Sequence, residues 1–351
     1  MSRTGRPRSG WTEALALGIA VIVALGSCGN DATKQPFLAA GATMGTTYAI
    51  KVATLPADLS EEQLAEGVQV QVDRVDALMS TYREDSELSR FNRLGKNEWF
   101  AVSAETACVL AEAARVSRLT GGAFDVTVGP LVKLWSFGPG EKERRVPSDD
   151  QLALLGERVG QGLIELDESG RRLRKLADSV EIDLSAIAKG FAVDEVAKWL
   201  ESRGVSSYLI EIGGEMRAKG RKTDETPWRV GIEAPTDDRR TVHMQLTIES
   251  RSLATSGDYR NFFESNGRRY SHIIDPRTSR PVAHRLASVS VVAETCMHAD
   301  AMATALSVLG PDQGLALAEE LRLAVLFMVR TDQGFDELKT KAFERLSLHD
   351  R

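Results

Sequence analysis

The residues whose types are best suited to a chemical role form a short turn at positions 182–190, where an aspartate, a serine and a lysine follow one another closely. A strand-like stretch, 179–182, precedes this turn, and a helix-like stretch, 191–202, follows it. The start of a helix directs free backbone N–H groups and a partial positive charge outward, which favours a bound phosphate. The turn lacks the glycine spacing of the common GxxxxGK[ST] nucleotide-binding loop. The pattern therefore predicts a phosphate site of another kind.

Asp300 and Thr304 form a second candidate site, because residues four positions apart share one face of a helix. Carboxylate and hydroxyl oxygens are hard ligands of the kind that Mg²⁺ prefers. The same pair would also result if Asp300 capped a helix and Thr304 bonded its own backbone. The five histidines do not show the spacing typical of zinc ligands. The residues alone leave a magnesium site and a structural pair open.

His272 lies in the stretch 270–276, which the residue pattern predicts to be a strand that ends in an Asp-Pro turn. Imidazole titrates near neutral pH, so this side chain could serve as a general base. A buried structural histidine is the alternative interpretation. The stretch 256–260 is predicted to be a turn that presents Arg260 to a phosphate or carboxylate.

Two further stretches combine polar and aromatic residues. The first, 80–92, is typical of a surface loop, and the second, 121–127, is typical of a helix end followed by a strand. Phe124 in the second stretch could line a slot for a ring-shaped ligand, or it could lie in the protein core. Both alternatives remain open at this point.

The elements that position these residues follow from capping signals and hydrophobic spacing. Ser60 to Gln63 form a capping box before one helix, and Ser103 precedes another helix that ends at Gly121. Strands and helices mix without regular β-α alternation, which predicts an α+β domain with mixed sheets and packed helices. The loop 136–150 is the candidate hinge between two subdomains. The predicted strands are 43–52, 208–212, 228–234, 242–248, 270–274, 287–292 and 323–329, with a hairpin over 163–176, and the later helices are 297–309 and 313–321.

The composition indicates a globular protein of one large domain or two ordinary ones, with 351 residues, 42% hydrophobic and 27% charged. A formal charge of −6 gives no reason to expect nucleic acid as a partner. The basic cluster at 171–175 is expected to be a solvated hairpin. Cys108 lies on an apolar helical face, which predicts a buried free thiol.

The N-terminal segment carries a targeting signal. Three arginines within the first eight residues precede a short apolar stretch, 14–25, which ends in the letters LGSC. This resembles a bacterial lipoprotein signal peptide over 1–27, with Cys28 as the lipid-bearing residue and 28–38 as a tether before a folded domain at 39–345. An uncleaved anchor or a plain secretory signal is the alternative. The lipoprotein interpretation predicts attachment to the inner or outer membrane, facing the periplasm.

Eight motifs, in one order along the chain, resemble those of the ApbE family, which are flavin transferases that move FMN from FAD onto proteins. The resemblance extends from about residue 39 to 330. It implies an ApbE-like, T-fold-like α+β domain, FAD as substrate and Mg²⁺ as cofactor. The motifs are MGTTY at 44–48, MSTYREDSELSRFN at 79–92, TGGAFDVTVGPLVKLW at 120–135, IDLSAIAKGFAVD at 182–194, IEIGGE at 210–215, ATSGDYRNFF at 254–263, YSHIIDP at 270–276 and ADAMATALSVLG at 299–310.

The resemblance also implies roles for particular residues. Some would contact the flavin, some would line the remainder of the FAD pocket, and some would bind Mg²⁺ through a backbone carbonyl, a carboxylate and a hydroxyl. His272 and Lys189 would be catalytic. The implied residues are Met44 and Tyr82 for the flavin, Ala123, Phe124, Asp125 and Ile274 for the pocket, Asp183 and Lys189 for the ribityl, adenosine or pyrophosphate region, and Ala186, Asp300 and Thr304 for Mg²⁺.

The implied reaction is attack by a Thr or Ser hydroxyl of another protein on the FMN-side phosphorus of FAD, which releases AMP. His272 would take the hydroxyl proton, and Lys189 would face the pyrophosphate. Ser185 is then expected to be a helix cap. The family's acceptors are flavosubunits of sodium-pumping NADH:quinone reductase, Rnf-type complexes and regulators of nitrous-oxide respiration. Two alternatives remain, a FAD pyrophosphatase that gives FMN and AMP, and a lipoprotein that binds flavin without catalysis.

Overall fold

The computed structural model describes residues 35–138, 144–236, 241–259 and 261–347. The predicted signal peptide, Cys28 and Arg260 lie outside the described residues. The chain from Gln35 onward forms one compact unit. Within the described residues, no helix combines the length and the apolar character that a membrane span requires.

An antiparallel sheet of eight strands is the centre of the fold, in the order β1-β2-β6-β7-β10-β15-β16-β17. Smaller sheets pair β3-β5-β4, β8-β9, β11-β12 and β13-β14. The strands are β1 Phe37–Thr43, β2 Thr46–Val52, β3 Phe100–Ala101, β4 Ile164–Asp167, β5 Arg172–Lys175, β6 Tyr208–Ile212, β7 Glu215–Lys219, β8 Arg229–Glu233, β9 Val242–Thr247, β10 Arg251–Gly257, β11 Phe262–Ser265, β12 Arg268–Ser271, β13 Ile274–Asp275, β14 Arg280–Pro281, β15 Leu286–Ala293, β16 Ala324–Thr331 and β17 Gly334–Lys339.

Helices cover the large sheet. Helix α6 packs between α1 and α7 and contacts β6 and β7, α7 packs against β10 and β15, and α1 packs against β1. Together with the sheets, whose described strand pairs are all antiparallel, this arrangement confirms the predicted α+β class. The helices are α1 Glu61–Met79, α2 Glu87–Asn92, α3 Ala104–Leu119, α4 Gly129–Leu134, α5 Asp149–Gly156, α6 Ala188–Ser202, α7 Cys296–Glu320 and α8 Lys341–Ser347, with short 3₁₀ turns at Val126–Val128 and Gln161–Leu163.

The main hydrophobic core lies between these helices and the sheet. Val68 and Val72 of α1 and Ile210 of β6 belong to this core, and all three are fully buried. Each such side chain contributes about 1.5–3 kcal/mol to folding. A second core forms around Trp228 and Phe343, where the separate β8-β9 sheet and α8 pack with strands of the large sheet. The sheet is therefore a rigid platform with apolar packing that holds α6 and α7 in place.

The local capping signals predict their helices correctly. The Ser60 hydroxyl accepts the N–H of Gln63 at 3.1 Å, and the Gln63 side chain accepts the N–H of Ser60 at 2.9 Å. Ser103 caps α3, and the chain leaves that helix through Gly121 and Gly122, which have φ values of 58° and 79°. Glycine adopts this left-handed conformation without steric cost.

The strand predicted at 43–52 is correct over 46–52, which is β2, but its first residues belong to a β-hairpin that begins at Phe37. β1 and β2 pair from Phe37 and Val52 to Thr43 and Thr46, and a two-residue turn of Met44 and Gly45 joins them. Both turn residues have positive φ, 46° and 70°, which matches the twist of a hairpin. Methionine seldom adopts positive φ, so the sequence does not signal this turn.

The predicted strand at 179–182 is also wrong, because the segment lies outside the strands of every sheet described. Asn92 takes the place of a neighbouring strand. Its amide nitrogen donates to the Ile182 carbonyl at 2.8 Å, and its amide oxygen accepts the Ile182 N–H at 2.8 Å. The segment is thereby held in position, and α6 begins at Ala188, earlier than the predicted start at 191.

The predicted helices at 297–309 and 313–321 both exist, although they are continuous as α7 except for a break at Gly310. That residue has φ 79° and ψ −179°, and Pro311 follows it. The prediction for Cys108 is wrong, since its thiol is exposed while Ala107 and Val109 are buried. The buried stripe of α3 passes beside Cys108 and leaves it on the solvent side.

Candidate functional site

A cavity of about 480 Å³ opens where the beginnings of α6 and α7 meet the end of β10 and the segment after β12. It gathers residues that are far apart in the chain. A smaller cavity of about 230 Å³ shares Thr81 and Asp183 with it. The predicted site residues that line the larger cavity are Tyr82, Ala123, Phe124, Asp125, Asp183, Ala186, Lys189, His272, Ile274, Asp300 and Thr304.

Met44 is placed differently from these residues. It lies in the β1-β2 turn, half-buried, and packs against the main core. The lining residues of the cavity do not include it. Its contact with the flavin therefore stays a prediction.

Lys189 is the electrostatic centre of the cavity. Its Nζ lies 2.9 Å from Oε1 of Glu215 and 3.7 Å from Oδ1 of Asp300. Burial lowers the pKa of Lys189, but the two carboxylates outweigh burial and raise the pKa above its usual value. The ammonium is therefore charged at neutral pH and is fixed in direction by two acidic neighbours.

Glu215 is a functional candidate that the sequence reasoning missed. It begins β7 and is 3% exposed, and its Oε2 has no hydrogen-bond partner within the described residues. Burial raises the pKa of Glu215 to about 8, although Lys189 acts in the opposite direction. The available signal was the motif IEIGGE at 210–215, which ends in this residue.

The N-terminus of α6 approaches α7 closely at Gly190. Oδ2 of Asp300 accepts the Gly190 N–H at 3.0 Å. A Cβ at position 190 would lie only 2.4 Å from the carbonyl oxygen of Cys296, so a side chain cannot fit without moving the helices. Glycine at this position therefore permits the contact between the two helices that form the cavity wall.

The expectation that Ser185 caps α6 is wrong. The capping residue of α6 is Ile187, which makes no side-chain capping bond in the described structure. Ser185 instead donates its backbone N–H to Oδ1 of Asp183 at 2.8 Å. The carboxylate of Asp300, from another helix, supplies the acceptor that a serine cap would have provided.

The oxygen donors around Asp300 suit Mg²⁺. Thr304 lies one helical turn further along α7, and Ala186 lines the same cavity; a backbone carbonyl is a hard donor of the kind that Mg²⁺ accepts. No group of three or more His, Cys, Asp or Glu side chains able to hold a metal occurs in the described parts of the chain. Mg²⁺ commonly completes its shell with water and substrate phosphates, so this sparse donor set fits the ion.

His272 lies in the break between β12 and β13, and the predicted position in the middle of a strand is wrong. Its Nδ1 is 3.0 Å from the carbonyl oxygen of Asn261. Since a carbonyl only accepts, Nδ1 carries the hydrogen, and Nε2 keeps a lone pair in the neutral ring. Burial lowers the pKa of His272, which favours this neutral form.

Phe124, Asp125 and Tyr82 line the cavity but differ in burial and in their contacts. Phe124 is 3% exposed and belongs to the main core, and it also lines the cavity, so its contact with a ring-shaped ligand stays a prediction. Asp125 accepts the N–H and the hydroxyl of Thr127 at 2.8 and 2.6 Å and thereby starts a 3₁₀ turn. Burial raises the pKa of Asp125. Tyr82, by contrast, is 73% exposed at the cavity.

The sequence reasoning also missed the wall formed by the end of β10. The stretch predicted as a turn at 256–260 begins inside this strand, and Thr255 bonds Ser290 of β15 through their hydroxyl oxygens at 2.8 Å. The motif ATSGDYRNFF marked these residues without assigning them a role. The additional lining residues from this region are Thr255, Ser256, Gly257, Tyr259 and Asn261.

Comparison with known proteins gives concordant results. Residues 44–327 match the ApbE family. The FAD:protein FMN transferase of Vibrio cholerae is 45% identical over 93% of this chain and 97% of that protein, and the Escherichia coli K12 enzyme of the same name is 38% identical over 87% of each. Among solved structures, flavin transferase ApbE from Vibrio cholerae has a TM-score of 0.82, with 45% identity over 88% of this chain and 98% of that one. The apo form of the Pseudomonas stutzeri flavinyl transferase ApbE has a TM-score of 0.81, with 42% identity over 89% and 97%.

Proposed function

The chain belongs to the ApbE family, and we propose that it transfers the FMN part of FAD to a Thr or Ser hydroxyl of a target protein and releases AMP. One observation carries this proposal. A single cavity contains a fixed ammonium group, two oxygen side chains on one helical face and a histidine with a proton-free nitrogen. A charged phosphate group, a cation and an attacking hydroxyl each have a matching partner there.

The shape of the site suits an extended dinucleotide. The 480 Å³ cavity lies beside the 230 Å³ cavity, and the two share the lining residues Thr81, Val132, Gly138 and Asp183. Phe124 and Ile274 give the larger cavity an apolar wall for a flavin ring, and Tyr82 stands exposed at its side. Ligand sites typically combine such apolar walls with a few fixed polar groups.

Lys189 supplies positive charge for the pyrophosphate. A lysine ammonium has three donors, and Glu215 takes one of them at 2.9 Å. The remaining donors are available to phosphate oxygens, while the nearby Asp300 limits the directions in which the ammonium can point. Lys189 therefore stabilises the charge that develops as the bond to AMP breaks.

We propose that Asp300, Thr304 and the carbonyl of Ala186 hold Mg²⁺. When bound there, the ion would neutralise pyrophosphate oxygens and aid the departure of AMP. Asp300 is well suited to this role because its Oδ2 is already fixed by the Gly190 N–H, which orients the carboxylate. Thr304 follows on the same helical face.

His272 acts as the general base in this proposal. The Asn261 carbonyl holds the Nδ1 hydrogen, so Nε2 is the atom that receives the proton of the acceptor hydroxyl. The hydroxyl oxygen then forms a bond to the FMN-side phosphorus, and the bond from that phosphorus to the AMP oxygen breaks. The products are a protein with a phosphoester-linked flavin and free AMP.

Two variants and one control test these roles. We expect Asp300→Ala to lose Mg²⁺-dependent transfer and His272→Ala to retain FAD binding while the transfer rate falls by about 10²–10⁴-fold. His243→Ala is the matched control, because His243 pairs with Glu337 away from the cavity. The assay incubates the protein with FAD, Mg²⁺ and an acceptor peptide and measures flavin-labelled peptide and AMP.

The outcomes separate the alternatives. AMP release without labelled peptide would favour a pyrophosphatase, and tight FAD retention without metal-dependent turnover would favour a binding protein. Full activity of Asp300→Ala would remove the metal assignment. Loss of FAD binding in His272→Ala would make His272 a pocket residue.

We further propose that the acceptors are flavosubunits of sodium-pumping NADH:quinone reductase, Rnf-type or related respiratory proteins. We also propose that a lipid on Cys28 anchors the enzyme to a membrane, facing the periplasm. The lipoprotein-like N-terminal sequence supports this location. Flavin-fluorescence gels of cell extracts with and without the protein would identify its acceptors, and mass spectrometry of the mature N-terminus would test the lipid.

A further inference from the structure

Helices α6 and α7 cap each other. Asp300, on α7, accepts the N–H of Gly190 near the start of α6 at 3.0 Å. Asp194, on α6, accepts the N–H of Cys296 at 3.1 Å and the N–H of Met297 at 2.9 Å, at the start of α7. Each helix therefore satisfies N-terminal donors of the other with a carboxylate, which also complements the helix dipole.

Asp194 is a buried carboxylate with several hydrogen-bond donors around it. It is 5% exposed, and Nη1 of Arg217 donates to its Oδ1 at 2.7 Å and to the Glu294 carbonyl at 3.2 Å. Three donors thus compensate the buried carboxylate. A buried charge with this number of partners is costly to disturb, because its removal leaves the others unpaired.

We infer that Asp194 is a positioning residue for the transfer reaction. It does not line the cavity among the described residues, so it acts through α7. By fixing the start of α7 against α6, it sets where Asp300 and Thr304 stand relative to Lys189. This inference rests on the proposed function, because it assigns Asp194 to the alignment of the proposed cation site.

The geometry gives this role a direct route. Asp300 lies one helical turn after Cys296, whose N–H donates to Asp194. The Cys296 carbonyl oxygen lies where it would clash with any Cβ at position 190. If the start of α7 moves, Asp300 must either follow it and lose Gly190 or keep Gly190 and change its own direction. Groups that hydrogen-bond metal ligands directly typically change metal affinity by about 10–100-fold when removed, and Asp194, which acts through one helical turn, should lie near the lower end of that range.

Glu87 offers a matched comparison. It is also a buried carboxylate at 9% exposure, and it accepts the N–H of Ser103 at 3.0 Å and its hydroxyl at 3.0 Å, at the start of α3. It has no place among the residues that line the cavity in the described structure. A merely structural carboxylate should behave like Glu87, whereas a positioning residue should also affect ligand binding.

The experiment compares Asp194→Asn with Glu87→Gln in the full chain. FAD binding is measured by flavin fluorescence at a series of Mg²⁺ concentrations without an acceptor, so that no transfer occurs. We expect Asp194→Asn to raise the half-saturating Mg²⁺ concentration by about 10-fold or more. Glu87→Gln should lower the denaturation midpoint while leaving that concentration unchanged. An equal Mg²⁺ response in both variants would overturn the inference.

Two further results keep the inference separate from its premise. If the unaltered protein shows no Mg²⁺ effect on FAD binding, the proposed cation site fails, and the role of Asp194 fails with it. If Asp194→Asn does not fold, Arg217→Met removes the partner of Asp194 while keeping an apolar stem, and we expect a smaller shift in the same direction. An unchanged Mg²⁺ response in a folded Arg217→Met protein would then overturn the positioning role.

Discussion

Gly190→Ala is the sharpest single test of how the cavity is assembled. The added Cβ would lie 2.4 Å from the Cys296 carbonyl oxygen and 2.8 Å from the Cβ of Asp300. Neither neighbour is the free end of a flexible side chain, so α6 and α7 must separate by roughly 0.5–1 Å to accept the methyl group. This separation acts on the hydrogen bond that joins Gly190 to Asp300.

The expected magnitudes follow from that displacement. Overpacking costs about 1–3 kcal/mol, and the helical preference for Ala over Gly returns about 1 kcal/mol, which leaves a net loss of about 0–2 kcal/mol. A displacement near 1 Å at a catalytic group can cost about 100-fold in rate. We therefore expect a modest loss of stability together with a large loss of kcat/KM.

Urea unfolding and transfer kinetics measure the two effects. Gly67→Ala is the matched control, because its Cβ would lie 1.9 Å from the Trp199 ring, between α1 and the far end of α6. That variant should lose stability while its kcat/KM stays within a few-fold of the unaltered protein. If Gly190→Ala is as stable and as active as the unaltered protein, or if both variants lose activity equally, the reasoning is refuted.

Two predictions concern pH. Burial lowers the pKa of His272 below 6.5, and the neutral ring is the active form. We therefore expect kcat/KM to fall only as pH drops through that lowered pKa. A pH–rate profile with its acidic limb above 6.5 would contradict the role of His272 as general base. Burial raises the pKa of Glu112, but hydrogen bonds from His298 and Arg115 outweigh it and lower that pKa from 4.5 to about 2. The stability that this pairing contributes is present above pH 4.5 and is lost as pH falls toward 2. In Glu112→Gln, the free energy of unfolding should therefore depend less on pH across this range. An unchanged pH dependence would argue against the pairing.

Elements with local signals could be predicted from the sequence. The capping box at Ser60 and the two glycines after α3 act within a few residues, so neighbouring letters contain the whole explanation. The Met44 turn could not be predicted, because the pairing of β1 with β2 imposes a positive φ that is unfavourable for methionine. The strand expected at 179–182 failed for a related reason, since Asn92, distant in sequence, satisfies its backbone.

The candidate site divides in the same way. Lys189, Asp300 and His272 could be predicted because each has a side chain of recognisable chemistry inside its own motif. Glu215 and Asp194 do not, because burial and partners from other motifs create their roles. Ser185 illustrates the opposite error, a role that was predicted but is absent. Serine often caps helices, but Asp300, distant in sequence, already accepts an N–H at the start of α6.

The reciprocal caps also constrain the order in which the protein can fold. Gly190 and Asp300 are 110 positions apart, and Asp194 and Cys296 are 102 apart. Closing such long loops costs chain entropy before the contacts return any stabilisation, and folds that depend on distant contacts form slowly. A growing chain that has completed α6 still lacks the partner for its first turn. The ability to bind FAD should therefore arise late in synthesis, once α7 has emerged.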